Sequence, residues 1–377
     1  MPEKFCFSPW HHMNINNKGT IKPCCVFHGA KSPEPDENIF EWYKTAYNDV
    51  KEQGIIHPGC IPCKTAEDAD IPSRREWRGS LGEGEADEIT YLDMSFGNTC
   101  NLKCRMCESR NSTKWIKDEQ ELVKQGFDLE RQIIRKYEMP NERLDQIVEY
   151  LNNLKSKDFT LEVKGGEPFV TDQFLKFIDR LSDEFKAKTE LVIFSNGTGI
   201  SDYYIKKLKP FKLIKCNLSI EATGQLYNYI RGGDKHNMIN AVDFMTKMVK
   251  SLNNFRPGVS VTVTMYNIFD LPNLLAEIKH YLGRDSNQHD YSKAFGSFSY
   301  YPTYQDPANL PDIAKKKLIL KYSKEESFKE VVKYLQTRKR DRKKWKKFKE
   351  FTLALDELRN ENLFDVAPQF RKIWNEE

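Results

Sequence analysis

No apolar run in this 377-residue chain is long enough to cross a bilayer. The longest uncharged stretch, Pro257 to Phe269, is short and carries several polar residues. Met1 to Cys6 has no apolar run behind its lysine, which excludes a secretory signal there. An excess of one charge is lacking too: 59 Lys+Arg face 55 Asp+Glu, and +4 does not by itself call for nucleic acid. Neither an internal repeat nor a long low-complexity tract is present, which excludes a solenoid. With 39% hydrophobic residues, global disorder is excluded as well. What remains is a soluble, cytoplasmic globular protein of two or three domains.

Cysteine is scarce after residue 107, where only Cys216 occurs, and abundant before it. Cys6, Cys24, Cys25, Cys60, Cys63, Cys100, Cys104 and Cys107 fall in the first 107 residues. Nine is an odd number, and a reducing compartment favours metal ligation over disulfides. Cys216 sits within an apolar strand and reads as a small core residue.

The chain divides into three parts. Residues 1–85 are rich in Cys, Pro and Gly and end in a linker-like Gly79–Asp87 stretch. Residues 86–302 alternate strand-like and helix-like segments. The expected strands are Ile89–Phe96, Phe159–Lys164, Glu190–Ser195, Leu213–Ile220, Val259–Tyr266 and Phe295–Tyr301. Amphipathic helices are expected over Leu129–Leu154, Gln173–Phe185, Met238–Leu252 and Leu271–Leu282. Such alternation predicts an α/β fold with a parallel sheet, and six βα units suit a partial (β/α)6 TIM-like barrel. Residues 303–377 read as a charged helical extension. Its Arg338–Lys349 run, with Trp345 and Phe348 interleaved, is either a surface for nucleic acid or an acidic partner, or a solvated helix docked through its aromatics.

The first strand runs into Cys100-x3-Cys104-x2-Cys107. Three thiolates at this spacing can hold three irons of a cubane and leave the fourth open to chemistry; zinc would want a fourth close ligand. After the second strand stands Gly165-Gly166-Glu167-Pro168, where glycines permit close approach and a carboxylate can accept from an ammonium. Ser195-Asn196-Gly197-Thr198 ends the third strand and Ser219-Ile220-Glu221 the fourth, while Arg231 offers a guanidinium suited to a carboxylate. A plain Asn-Gly turn and a surface arginine are the competing readings of Ser195–Thr198 and Arg231.

This order of motifs resembles the radical S-adenosylmethionine (SAM) superfamily. The resemblance implies that Cys100, Cys104 and Cys107 bind a [4Fe-4S] cluster whose unique iron is chelated by SAM. It implies reductive cleavage to a 5′-deoxyadenosyl radical that takes a hydrogen atom from substrate. Met106, Gly165, Gly166, Glu167, Pro168, Ser195, Asn196, Ser219 and Arg231 would form the SAM site, with Met265 to Asn267 near the adenine. Glu221 stands where the family has aspartate.

Cys6, Gly19, Cys24, Cys60 and Cys63 follow C-x(9–15)-G-x4-C plus C-x2-C, with the glycine able to turn a hairpin. By chemistry alone, four thiolates suit zinc or an iron–sulfur cluster. The pattern resembles the auxiliary-cluster module of the twitch/SPASM branch, placed here ahead of the barrel. That implies a second [4Fe-4S] cluster on Cys6, Cys24, Cys60 and Cys63; Cys25 is the alternative to Cys24, less favoured by its spacing from Gly19. By resemblance, the enzyme oxidises or cross-links a peptide or protein substrate, with the second cluster accepting an electron; its catalytic base is unassigned. Partners implied are a flavodoxin- or ferredoxin-like donor and, since no leader-binding domain precedes the module, a separate recognition protein. The alternatives are dehydrogenation of a small polyol or sugar and, from another class, a zinc-stabilised nucleic-acid-binding protein.

Overall fold

In a computed structural model the chain is described over residues 6–376, apart from 17, 35, 69–72, 78–85, 87, 130, 233–237, 282–292 and 300–301. Most of the Gly79–Asp87 stretch therefore lies outside the described residues.

The strands are β1 (His12–Ile15), β2 (Ile21–Lys22), β3 (Tyr91–Met94), β4 (Phe159–Val163), β5 (Thr189–Ser195), β6 (Leu213–Ser219), β7 (Phe255–Ser260), β8 (Thr262–Val263) and β9 (Ser297–Phe298). The first seven make one sheet in the order β2-β1-β3-β4-β5-β6-β7, parallel except for the β1–β2 hairpin. The chain is thus an α/β protein with a mostly parallel sheet. Leu92, Met94, Leu161, Val163, Leu191 and Ile193 are fully buried on one face of it. On adjoining positions Asp93 and Glu162 are buried too, and two carboxylates inside a parallel sheet require compensating groups.

Several boundaries differ from expectation. Pro140 precedes a helix at Asn141–Asn152, so the segment expected to be helical from Leu129 begins extended and bridges Gly97 at Glu138. A helix at Trp115–Lys124 has no counterpart among the expected ones. Ser182 caps Asp183–Ala187 and splits the next helix after Arg180. The fifth strand starts at Phe255, and its Pro257 is tolerated because β7 is the sheet edge. β8 then leaves the sheet and pairs with β9.

The hairpin β1–β2 was not expected in this sheet. Gly19 turns it at φ 73°, and the amide of Gly19 donates to the Asn16 carbonyl at 2.8 Å. β1 then lies parallel to β3, with Asn14 opposite Asp93. The N-terminal region therefore extends the sheet beside the first strand of the βα series.

Beyond residue 303 the chain is helical, and helix Arg342–Arg359 docks through Trp345, Phe348, Phe351 and Leu355 while Lys343 and Lys346 stay exposed. Among the described residues no helix is long and apolar enough to cross a membrane.

Candidate active site

The loop after β3 carries Cys100, Cys104 and Cys107, and its shape is fixed from outside. The amide of Cys107 donates to the Cys104 carbonyl at 2.8 Å, and Trp115 Nε1 donates to the same carbonyl at 2.8 Å. The amide of Arg105 donates to Ile230 O at 2.7 Å, and Gln305 Nε2 donates to Arg105 O at 2.7 Å. The Arg105 side chain points away from the thiols and is 0% exposed. Its Nη2 donates to Asp356 and Glu361, each at 2.5 Å, and its guanidinium lies 3.5 Å from the Tyr229 ring centroid. Helix Arg342–Arg359 and the turn after it thus brace the cysteine loop through a buried ion trio.

The loop after β4 places Gly166 against the Thr99 backbone, where a Cβ would collide with the Thr99 carbonyl. Its φ of 57° also favours glycine. Glu167 is buried, and its two oxygens accept from Ser195 Oγ at 2.7 Å, the Asn196 amide at 2.7 Å and the Phe169 amide at 3.3 Å. Burial pushes its carboxyl up to about 7, against the pull of those donors.

These loops open on one cavity of about 330 Å³. Cys100, Cys104, Cys107, Gly165, Gly166, Glu167, Ser195, Asn196, Ser219 and Arg231 all line it. Pro168 and Met106 do not: Pro168 is buried behind the loop and Met106 packs on the core. Met265 to Asn267 are fully buried and also lie off this lining. Arg231 is paired with Glu221 at 3.0 Å, which gives that glutamate a structural partner, and its Nε has no partner among the described residues.

A second cavity is lined by Cys6, Cys24, Cys60 and Cys63, with Phe27, Ile55, Arg74 and Arg75. Gly59 lets the chain pass close to the Phe27 ring there. Cys25 is absent from that lining and faces the first cavity instead. The bend and turn that follow β2 carry the two neighbouring thiols to different cavities. Cys216 is buried in β6 and lines neither.

Residues 94–276 match the family model of the Radical SAM superfamily. That stretch, a little under half of the chain, is similar to a radical SAM domain. No curated protein sequence matches the chain. Among solved structures, native anSMEcpe with bound AdoMet is 18% identical, with a TM-score of 0.37, over 50% of this chain and 48% of that one. The anSMEcpe structure with AdoMet and the Cp18Cys peptide is 16% identical, TM-score 0.41, over 62% and 58%. Streptococcus suis SuiB bound to S-adenosylmethionine is 13% identical, TM-score 0.31, over 78% and 65%. The chain spans about half the length of the anSMEcpe structure named first.

The residues of this stretch suit the group that the matched family uses. All three loop cysteines are free thiols on one cavity wall. Burial pushes Cys100 up to about 12, so a bound cation is needed to displace its proton. Burial pushes Cys60 in the other set up to about 12 as well. Among the described residues no three His, Cys, Asp or Glu side chains gather around a single-ion site, a convergence that a cubane with one iron per thiolate does not require. Ahead of the domain and within it, the sequence reading missed Asn14, Lys22, Ser95 and Lys164 on the same wall. Their signal was present: Asp93 and Ser95, and Glu162 and Lys164, are polar residues two apart in otherwise apolar strands.

Proposed function

We propose that this chain is a radical SAM enzyme with an auxiliary cluster, built as an N-terminal module (1–85), a partial (β/α)6 barrel (86–302) and a helical extension (303–377). When bound, a [4Fe-4S] cluster with one open iron supplies the electron that cleaves SAM, and a second cluster supplies an acceptor for the substrate's electron. Cys100, Cys104 and Cys107 would hold the first; Cys6, Cys24, Cys60 and Cys63 would hold the second. Glu167 retains lone pairs beyond the bonds from Ser195, Asn196 and Phe169, and accepts from the SAM ammonium. Arg231, whose Nε has no partner among the described residues, would pair with the SAM carboxylate. Ser195, Asn196 and Ser219 complete the pocket's polar wall.

The observation that carries this reading is the convergence of three thiols, a buried carboxylate and a buried guanidinium on one cavity at the strand ends. With both groups bound the chain would oxidise or cross-link its substrate, the cysteines of the second cavity holding the group that would take up the substrate's electron. A peptide or protein is the substrate we favour, with a small polyol as the second reading, and a flavodoxin- or ferredoxin-like protein supplies electrons. The test is 5′-deoxyadenosine formation with dithionite by anaerobically prepared protein. Wild type should form it, and the variant with Cys100, Cys104 and Cys107 all changed to Ala should form none while keeping auxiliary iron. Deoxyadenosine from that variant would sink the proposal.

A further inference from the structure

The cavity wall away from the SAM motifs is a tier set by strand register. Lys22 is opposite Asn14, Asn14 opposite Asp93, and Asp93 opposite Glu162, so the four side chains leave one face of four adjacent strands. Two residues further on, Ser95 and Lys164 project from that same face and line the cavity, as do Asn14, Lys22 and Cys25.

Charge within this tier does not balance. Lys164 Nζ reaches Asp93 at 2.5 Å and Glu162 at 2.9 Å, and Tyr91 OH also donates to Glu162. Arg74 acts on both carboxylates from the second cavity's side. Two carboxylates are thus covered by two cations. Lys22 is left over: among the described residues no hydrogen bond or ion pair engages its ammonium. The charged groups that act on it are first the thiols Cys24 and Cys25, which favour the ammonium, and then the cations Arg110 and Lys164. Arg110 is itself taken by Glu108 at 3.1 Å. An ammonium that lines the cavity with no hydrogen bond or ion pair from the described residues, and with Lys164 on the same wall, asks for an anion from outside the chain.

Resting on the radical SAM reading above, we infer that Lys22, with Asn14 and Lys164 beside it, forms the substrate subsite of this cavity and holds an anionic group, a carboxylate or a phosphate, of the substrate. The hairpin that lengthens the sheet thereby supplies the recognition residue, while the strand-end loops supply the SAM residues. A cation or a bare polyol would leave Lys22 unpaired.

Saturation-transfer NMR on the full-length, anaerobically prepared protein with SAM tests this, using acetate and methylphosphonate as separate probes and neutral acetamide as control. At least one anion should receive saturation in wild type, and acetamide none. Lys22→Gln should weaken that anion by roughly ten-fold or more, the size of one lost charge-assisted bond. Lys22→Arg, which keeps the charge, should retain binding, as should Lys346→Gln on the exposed side of helix Arg342–Arg359. Transfer to acetate alone assigns a carboxylate, and transfer to methylphosphonate alone a phosphate. Transfer to neither anion, or equal transfer in Lys22→Gln, overturns the subsite. Deoxyadenosine formation by the same wild-type preparation reports separately on the radical SAM reading, so either can fail while the other stands.

Discussion

Replacing Asp356 by alanine probes whether the C-terminal extension holds the cysteine loop in shape. The Asp356 carboxylate accepts from Arg105 Nη2 at 2.5 Å, Tyr229 OH at 2.8 Å and the Leu363 amide at 2.8 Å. Deleting one partner of a buried ion pair costs about 3–5 kcal/mol, because the remaining charge is stranded. Glu361 stays on Arg105 at 2.5 Å and is partly solvated, which places the expected loss at the lower end, about 3 kcal/mol. An unfolding entropy of about 2.1 cal/mol/K per residue, over 377 residues, is about 0.8 kcal/mol/K. The melting midpoint should therefore fall by about 4 °C in differential scanning calorimetry. Asp356→Asn, which keeps shape and loses charge, should fall between Asp356→Ala and wild type. Iron bound per chain should drop with Asp356→Ala, since Arg105 stands between Cys104 and Cys107. A midpoint within about 1 °C of wild type would refute the brace.

Glu167→Ala should weaken SAM by roughly ten- to a hundred-fold without loss of iron, a charge-assisted bond being worth about 1.5–3 kcal/mol; unchanged affinity by titration calorimetry counts against the assignment. Burial raises the Glu167 carboxyl from 4.5 to about 7, so the folded chain keeps a proton there that the unfolded chain has released. That contribution to stability is fully present below pH 4.5 and is lost as pH rises through about 7. Glu167→Gln does not titrate, so its midpoint should gain on wild type across that window, and a constant difference between the two melts would contradict the assignment. Cys60→Ala should lower iron by about half, since a closed site short of a ligand rarely keeps its metal, and should stop substrate turnover while SAM cleavage survives. Cys25→Ala should leave iron unchanged; iron loss there rather than in Cys24→Ala would reverse the ligand choice.

Much of the βα series was legible because its strands are short segments of alternating apolar residues bounded by turn residues, as Phe159–Val163 and Leu213–Ser219 show. The loops that line the first cavity were legible for the same reason, their residues being local in sequence. The pairing of β1 with β3 was not: His12–Ile15 is buried at every position, so it shows no alternation, and its partner lies some eighty residues away. The bond from Arg105 to Asp356 spans 251 residues and has no sequence signature at either end. Lys22 looked like one more lysine among fifty-nine basic residues until register placed it opposite Asn14.

Cys24 and Cys25 face different cavities from neighbouring positions, so one peptide link is the partition between them. Consecutive α-carbons sit about 3.8 Å apart across a trans peptide, so this wall cannot thicken without breaking the chain. Anything that shifts Cys24 drags Cys25 with it, and the two chambers keep step as rooms on either side of a shared partition do. A residue inserted between Lys22 and Cys24 would displace both thiols together, so this short stretch should tolerate changes of residue type better than changes of length.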